Sequence, residues 1–326
     1  MIKKDVKLDK IYFWSIILIM VSLISNYFAK IYINKGTISF LFSIICTILG
    51  KCGIPLFIMI FGIYLVNKKF EIKDYLKGII KIFLLYLIFT IICMFIYNVK
   101  LSNIYLYLIN PINSYANIIF TILYLYIFYP FIKKMVNNLD INEIKLFIVL
   151  VIVYITSNLI CPFMNINCNI PFINNIIYFI IGNLIYLNKN KLNTKRIKKY
   201  SIIINIIMFI YLTIITYLLS NNSLYFRTTL INYNNLFMAS YVITLFYLLL
   251  NSKDKSNYEN YSKYLFMSLL ISIVIFEYFT KYLIRNYYSF IMIPLLLIII
   301  FFSSFCISYI LINLYYFIRR KNGKKS

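Results

Sequence analysis

Ile79-Ile80-Lys81-Ile82-Phe83-Leu84-Leu85-Tyr86-Leu87-Ile88-Phe89-Thr90-Ile91-Ile92-Cys93-Met94-Phe95-Ile96-Tyr97 carries a single charge, and that charge sits near its start. An α-helix rises 1.5 Å per residue, so about 20 such residues match the roughly 30 Å hydrocarbon core of a bilayer. A helix closes its backbone hydrogen bonds within itself, which lipid requires of anything that crosses it. Nine further apolar segments flank this one, at about 11–29, 38–66, 115–132, 144–162, 172–187, 201–220, 229–250, 263–284 and 289–318. Across the chain 63% of residues are hydrophobic, 13% are charged and the mean hydropathy is +0.85. These values predict an all-α polytopic membrane protein with about ten transmembrane helices, and leave no room for a sizeable soluble domain. With no Gly/Ser linker and no repeat of fixed period, residues 1–326 read as a single transmembrane domain.

The net charge of +24, from 33 Lys and Arg against 9 Asp and Glu, would point to nucleic acid in a soluble protein. Here the cations occupy short runs between apolar segments, so there is no soluble basic face to bind nucleic acid. They are better read as topology signals that contact anionic headgroups of membrane lipids. If the N-terminus is cytoplasmic and every segment spans, 26 of the 33 lie inside. Six lie outside (Lys30, Lys35, Lys100, Arg227, Lys281 and Arg285) and Lys51 lies within a segment. That asymmetry predicts ten spans with both termini cytoplasmic, in a multi-pass protein of the cell membrane. Lys3, Lys4, Lys7 and Lys10 precede the first apolar run as in a signal peptide, but no small-residue cleavage site follows. The run is therefore expected to be a retained first helix. The second segment is long and contains Gly53 and Pro55, which predicts a break there. The stretches 98–114 and 161–171 are Asn-rich, contain Pro111, Pro162 and Pro171, and are expected to cap a cavity from outside.

The chain has no histidine, which removes the commonest general base and the commonest metal ligand. Its six cysteines show no metal-site spacing, so neither a metal nor a tightly bound cofactor is expected. Cys161 and Cys168 share one loop and form a disulfide if it faces an oxidising side; otherwise they are free thiols. Glu277 is the carboxylate placed well inside a segment, where an ionisable group needs a partner or a purpose. Lys281 and Arg285 follow at four-residue intervals and share its helix face. Three readings stay open for this trio. It is a structural ion pair near the outer mouth, a pair of cations snorkelling to the interface, or a polar stripe lining an acceptor cavity with Glu277 as base. Lys51 either sits in an interfacial helix or attracts an anionic group. Lys77 and Lys81 share one face at the entry of the third segment. Asp9 reads as a solvated flank of the first helix, and Ser22 as a packing hydroxyl rather than a nucleophile.

Gly53-Ile54-Pro55-Leu56-Phe57-Ile58-Met59-Ile60-Phe61-Gly62-Ile63-Tyr64-Leu65 resembles the hallmark of integral-membrane acyltransferase family 3, a Val/Ile-Pro-Leu-Phe-Phe core followed by Ser-Gly-Tyr-Leu. Tyr75-Leu76-Lys77-Gly78-Ile79-Ile80-Lys81-Ile82 is similar to that family's basic helix entry. Tyr178-Phe179-Ile180-Ile181-Gly182-Asn183-Leu184 resembles its Tyr-Phe-Leu-Leu-Gly-Tyr-Tyr element, and Ser272-Ile273-Val274-Ile275-Phe276-Glu277-Tyr278 stands where it has Ser-Phe-Gly-Ile-Tyr-Leu. The resemblance implies ten core helices and transfer of an acyl group, often acetyl, to a hydroxyl of a cell-surface polysaccharide or lipid-linked glycan. It implies acyl-CoA as the cytoplasmic donor, its phosphates met by Lys77 and Lys81, and it marks Asp9 as a family position. The departures are specific. Tyr12 replaces a basic residue, Leu23 stands where a histidine is expected, and Phe61 replaces the Ser of Ser-Gly. Two alternatives remain: a non-catalytic relative acting in glycan export or assembly, and a transporter or polymerase of lipid-linked saccharide. The latter are usually marked by repeat symmetry or a large polar outer loop, and neither is seen here.

Overall fold

The computed structural model describes residues 6–32, 37–109, 116–160, 171–220, 235–252, 258–282 and 291–322, and among these all regular structure is helical. In chain order the helices are α1 (Val6–Tyr32), α2 (Thr37–Lys51), α3 (Gly53–Asn67), α4 (Ile72–Ile96), α5 (Ile104–Ile109), α6 (Ala116–Asn138) and α7 (Ile141–Ile160). They continue with α8 (Pro171–Leu187), α9 (Lys189–Leu192), α10 (Lys195–Ser220), α11 (Leu236–Leu250), α12 (Glu259–Tyr282) and α13 (Met292–Asn322). Among the described residues seven helices are long and apolar enough to cross a membrane, with α2 and α3 counted together as Ile38–Asn67; α8 and α11 are apolar but shorter. All ten expected segments have a helical counterpart, and the chain is a multi-pass all-α membrane protein. The short helices α5 and α9 lie outside those segments.

The apolar stretch 79–97 forms most of α4, and the two sides of that helix meet different surroundings. Tyr86, Phe89, Thr90 and Cys93 are buried, whereas Ile80, Leu84, Ile88 and Phe95 are exposed. A soluble helix would put polar residues on that exposed side; in lipid, aliphatic ones serve. The long second segment breaks as expected. Cys52 N–H bonds back only three residues, to the Leu49 carbonyl at 3.3 Å, and Pro55 has no amide hydrogen to offer the Lys51 carbonyl. Lys51, half-buried, is the last residue of α2 and so falls in the middle of the 30-residue apolar stretch Ile38–Asn67.

Helix α1 is the hub, packing against α2, α3, α11, α12 and α13. Lipid supplies little hydrophobic drive for one helix to leave it for another, so association rests on close packing and interhelical hydrogen bonds. Both occur. Gly50 of α2 lies directly on the Ser22 backbone of α1, leaving no room for a Cβ, and one turn away Thr47 Oγ1 donates to Ser25 Oγ at 3.1 Å. Gly182 of α8 lies on Met59 of α3, where an added Cβ would stand 2.7 Å from the Met59 Cβ. Two of the quoted motifs thus meet face to face.

Several contacts gather helix ends on one face. Lys10 Nζ donates to Ser252 Oγ at 3.4 Å, Tyr247 OH to the Leu192 carbonyl at 2.8 Å, and Lys133 Nζ to the Lys68 carbonyl. Phe13 packs on Tyr258 with ring centroids 5.1 Å apart. The start of α1, the ends of α3, α6 and α11, α9 and the entry to α12 therefore share this side. It carries Lys10, Lys68 and Lys133 and is the basic face of the bundle.

Candidate functional site

On α3, Phe57, Ile60, Phe61 and Tyr64 stand at i, i+3, i+4 and i+7 and so form one stripe. That stripe faces a partly open cavity of about 260 Å³, lined also by Tyr12 of α1, Ile82 of α4, Ile122 of α6 and Phe266 of α12. Its aromatic wall is ordered. Phe57 stacks on Phe61 and on Phe266 with centroids 6.3 and 6.2 Å apart, and Tyr12 leans on Phe57 at 5.7 Å. The only side-chain polar atoms on the lining residues are the hydroxyls of Tyr12 and Tyr64.

Tyr64 OH donates to Asp9 Oδ1 at 2.9 Å. Asp9 is 7% exposed, so the solvated flank expected from the sequence is a buried carboxylate. Chain order does not reveal that the end of α3 returns to cover the start of α1. A buried carboxylate needs hydrogen-bond donors, and Tyr64 supplies one. Asp9 and Tyr12, three residues apart, lie on one side of α1. The result is a polar corner at the basic-face end of an apolar cavity, in which Tyr12 and Tyr64 line the wall and the Asp9 carboxylate stands behind Tyr64. Sequence reasoning did not single out Tyr12 or Tyr64 as site residues. For Tyr64 the available signal was its i+7 and i+3 spacing from Phe57 and Phe61, which in a membrane helix resembles ordinary packing.

The other candidates lie elsewhere. Lys77 and Lys81 are exposed on α4 at the basic-face end, next to Ile82, which lines the cavity. Between them Gly78 lies against the Tyr126 hydroxyl, where a side chain would clash. Glu277 is half-buried on α12, about 16 Å along the helix from Phe266 at 1.5 Å per residue. Its neighbours Ile275, Tyr278 and Phe279 line a second cavity of about 550 Å³, shared with Ile92, Phe95 and Ile96 of α4 and with Ile299 and Ser303 of α13. The fold therefore does not bring Glu277 and the lysines of α4 to one cavity, although the seam between α4 and α12 borders both. Lys281 is the penultimate residue of α12, and Arg285 lies outside the described residues, as do Cys161 and Cys168. Lys51, at the α2–α3 junction, is not among the residues lining either cavity. Leu23 is 2% exposed in the aliphatic core, and Ser22 is a packing residue beneath Gly50.

An acyltransferase domain model, that of acyltransferase family 3, matches residues 13–313, nearly the whole chain. No curated protein and no solved structure matches it.

Proposed function

The chain belongs to the membrane acyltransferases of family 3, and from that premise we propose that it moves an acyl group from a cytoplasmic acyl-CoA donor to a hydroxyl of a cell-surface polysaccharide or its lipid-linked precursor. The observation that carries this reading is the Tyr64–Asp9 hydrogen bond at the mouth of the aromatic cavity.

In this mechanism the basic face is cytoplasmic and the donor enters there. Lys77 and Lys81 meet its phosphates as point charges, and the thioester end enters the corner formed by Tyr12, Tyr64 and Asp9. Acyl transfer needs a proton acceptor beside the hydroxyl and a donor to the oxyanion. In this chain, which has no histidine, Asp9 takes the first role through Tyr64. The acceptor oxygen attacks the thioester carbonyl; its proton passes to the Tyr64 oxygen as the Tyr64 proton passes to Asp9. The Tyr12 hydroxyl supports the oxyanion. The C–O bond forms, the C–S bond breaks, and the thiolate leaves and recovers the proton from Asp9. Glu277, Lys281 and Arg285 contact the glycan at the opposite end, and the α4–α12 seam is its route inward. Acetyl is the group that the family resemblance implies. The test is transfer from labelled acyl-CoA to purified envelope polysaccharide by nanodisc-reconstituted protein. Activity in the wild type and its loss in Asp9→Asn support the reading; full activity in Asp9→Asn removes the carboxylate from it.

A second reading is a non-catalytic relative that acts in glycan export or assembly. It is favoured by the buried Leu23 at the position where the family carries histidine. Deleting the gene would then alter export while leaving the acyl content of the glycan unchanged.

A further inference from the structure

We infer that the acyl group is a hydrocarbon chain of about four to eight carbons rather than acetyl, and that Ile82 and Phe266 set its length. The inference rests on the acyl-CoA reading above and specifies what that donor carries.

The argument is one of volume and chemistry. A cavity of about 150 Å³ lined by aliphatic and aromatic side chains stays dry and holds a six-carbon ring. This cavity measures about 260 Å³. Acetyl would place one methyl group in it and leave most of the apolar wall untouched, forgoing the burial and dispersion contacts that a longer chain gains. Water is no substitute filler, because it needs two to four polar partners and the lining offers only the two phenols at one end. The chemistry has a direction as well. The polar corner of Tyr12, Tyr64 and Asp9 is where a thioester carbonyl belongs, and Phe57, Phe61 and Phe266 lead away from it. A chain anchored by its carbonyl at that corner lies along the aromatic wall. At position 61 the resemblance expects a small serine; the stacked Phe61 makes this wall apolar where the serine would have placed a hydroxyl.

Ile82 from α4 and Phe266 from α12 line the cavity across from the α3 stripe and carry no polar side-chain atom. Neither takes part in the polar corner, so enlarging them shortens the space without touching the carbonyl site.

The experiment measures binding of acetyl-, butyryl-, hexanoyl- and octanoyl-CoA to the full-length protein in nanodiscs by titration calorimetry, with empty nanodiscs subtracted. Each methylene buried is expected to tighten Kd about fourfold, so butyryl-CoA should bind about fifteenfold more tightly than acetyl-CoA. Ile82→Trp and, separately, Phe266→Trp should abolish the gain beyond butyryl while keeping acetyl-CoA affinity within about threefold. Equal Kd for all four donors, or a chain-length gain that persists in both tryptophan variants, overturns the inference and leaves the acyl-CoA reading in place. Failure of every one of the four to bind sinks that reading, and the inference with it.

Discussion

The Tyr64 hydroxyl and the Asp9 carboxylate meet at 2.9 Å although 55 residues separate them in the chain. One comes from the last turns of α3, the other from the first turn of α1. Their meeting requires that the two helices run antiparallel and in close register, which Gly53 secures by lying against Ile19 and the Ser15 carbonyl of α1. The helix crossing and the polar corner are therefore one structural fact.

Removing either partner should separate chemistry from folding. Tyr64→Phe leaves Asp9 short of a donor and should cost roughly 1.5–3 kcal/mol of stability, the usual worth of a hydrogen bond to a charged group. Asp9→Asn keeps the shape and should lower acyl transfer about 100-fold or more, the scale of general-base catalysis. Alkaline release and quantification of acid from the glycan, normalised to protein in the membrane, measures the second. A double mutant no worse than Asp9→Asn alone is expected for residues acting as a unit.

For Lys77 and Lys81, charge reversal is the informative change. Lys77→Glu with Lys81→Glu should weaken acyl-CoA binding about tenfold at low salt, and the difference should shrink at 0.5 M salt because exposed charges are screened. A salt-independent or absent effect would assign both lysines to lipid headgroups alone.

Glu277→Gln should leave acyl-CoA affinity unchanged and reduce transfer to glycan about tenfold, since Glu277 stands beside the second cavity and not the first. Unchanged glycan acylation would remove Glu277 from the acceptor side.

The crossing of α3 and α8 predicts a purely structural sensitivity. Gly182→Ala introduces an atom 2.7 Å from Met59 Cβ and should cost roughly 1–3 kcal/mol through overpacking. Thr47→Val, which removes the hydrogen bond to Ser25, should cost about 0.6 kcal/mol, the average for interhelical bonds in lipid. Temperature at half-loss of the monodisperse peak in gel filtration would rank the two; the reverse order would contradict the packing described.

The orientation of the basic face is testable directly. A single cysteine at Lys199, in a cysteine-free background, should react with an impermeant maleimide only after the cells are permeabilised. Labelling of intact cells would invert the topology and with it the donor side.

The membrane fold was legible because lipid makes simple demands. Each span must be long, apolar and self-bonded, and composition alone announces the apolar segments, seven of whose described helices have the length to cross. Which side of a span faces inward was not legible. Helix α4 is as greasy at exposed Ile88 as at buried Phe89, so no periodicity marks its core side. The site was half legible. Asp9 and the Gly53–Leu65 motif each stand out in the sequence, but nothing local to Asp9 shows that Tyr64 covers it. Glu277, conspicuous as a charge within a span, stands beside a different cavity from the one that Ile82 lines, and only the three-dimensional arrangement shows that. The short helices α5 and α9 lie in connections where lipid imposes no pattern.

The interruption at Cys52–Pro55 turns Ile38–Asn67 into two levers on one pivot. The lever before the pivot is fastened to α1 by Gly50 and by the Thr47–Ser25 bond; the one after it carries half of the cavity's lining side chains. That second lever is itself gripped on two sides, by Gly53 against α1 and by Gly182 of α8 against Met59, so a guest must suit the chamber as it stands.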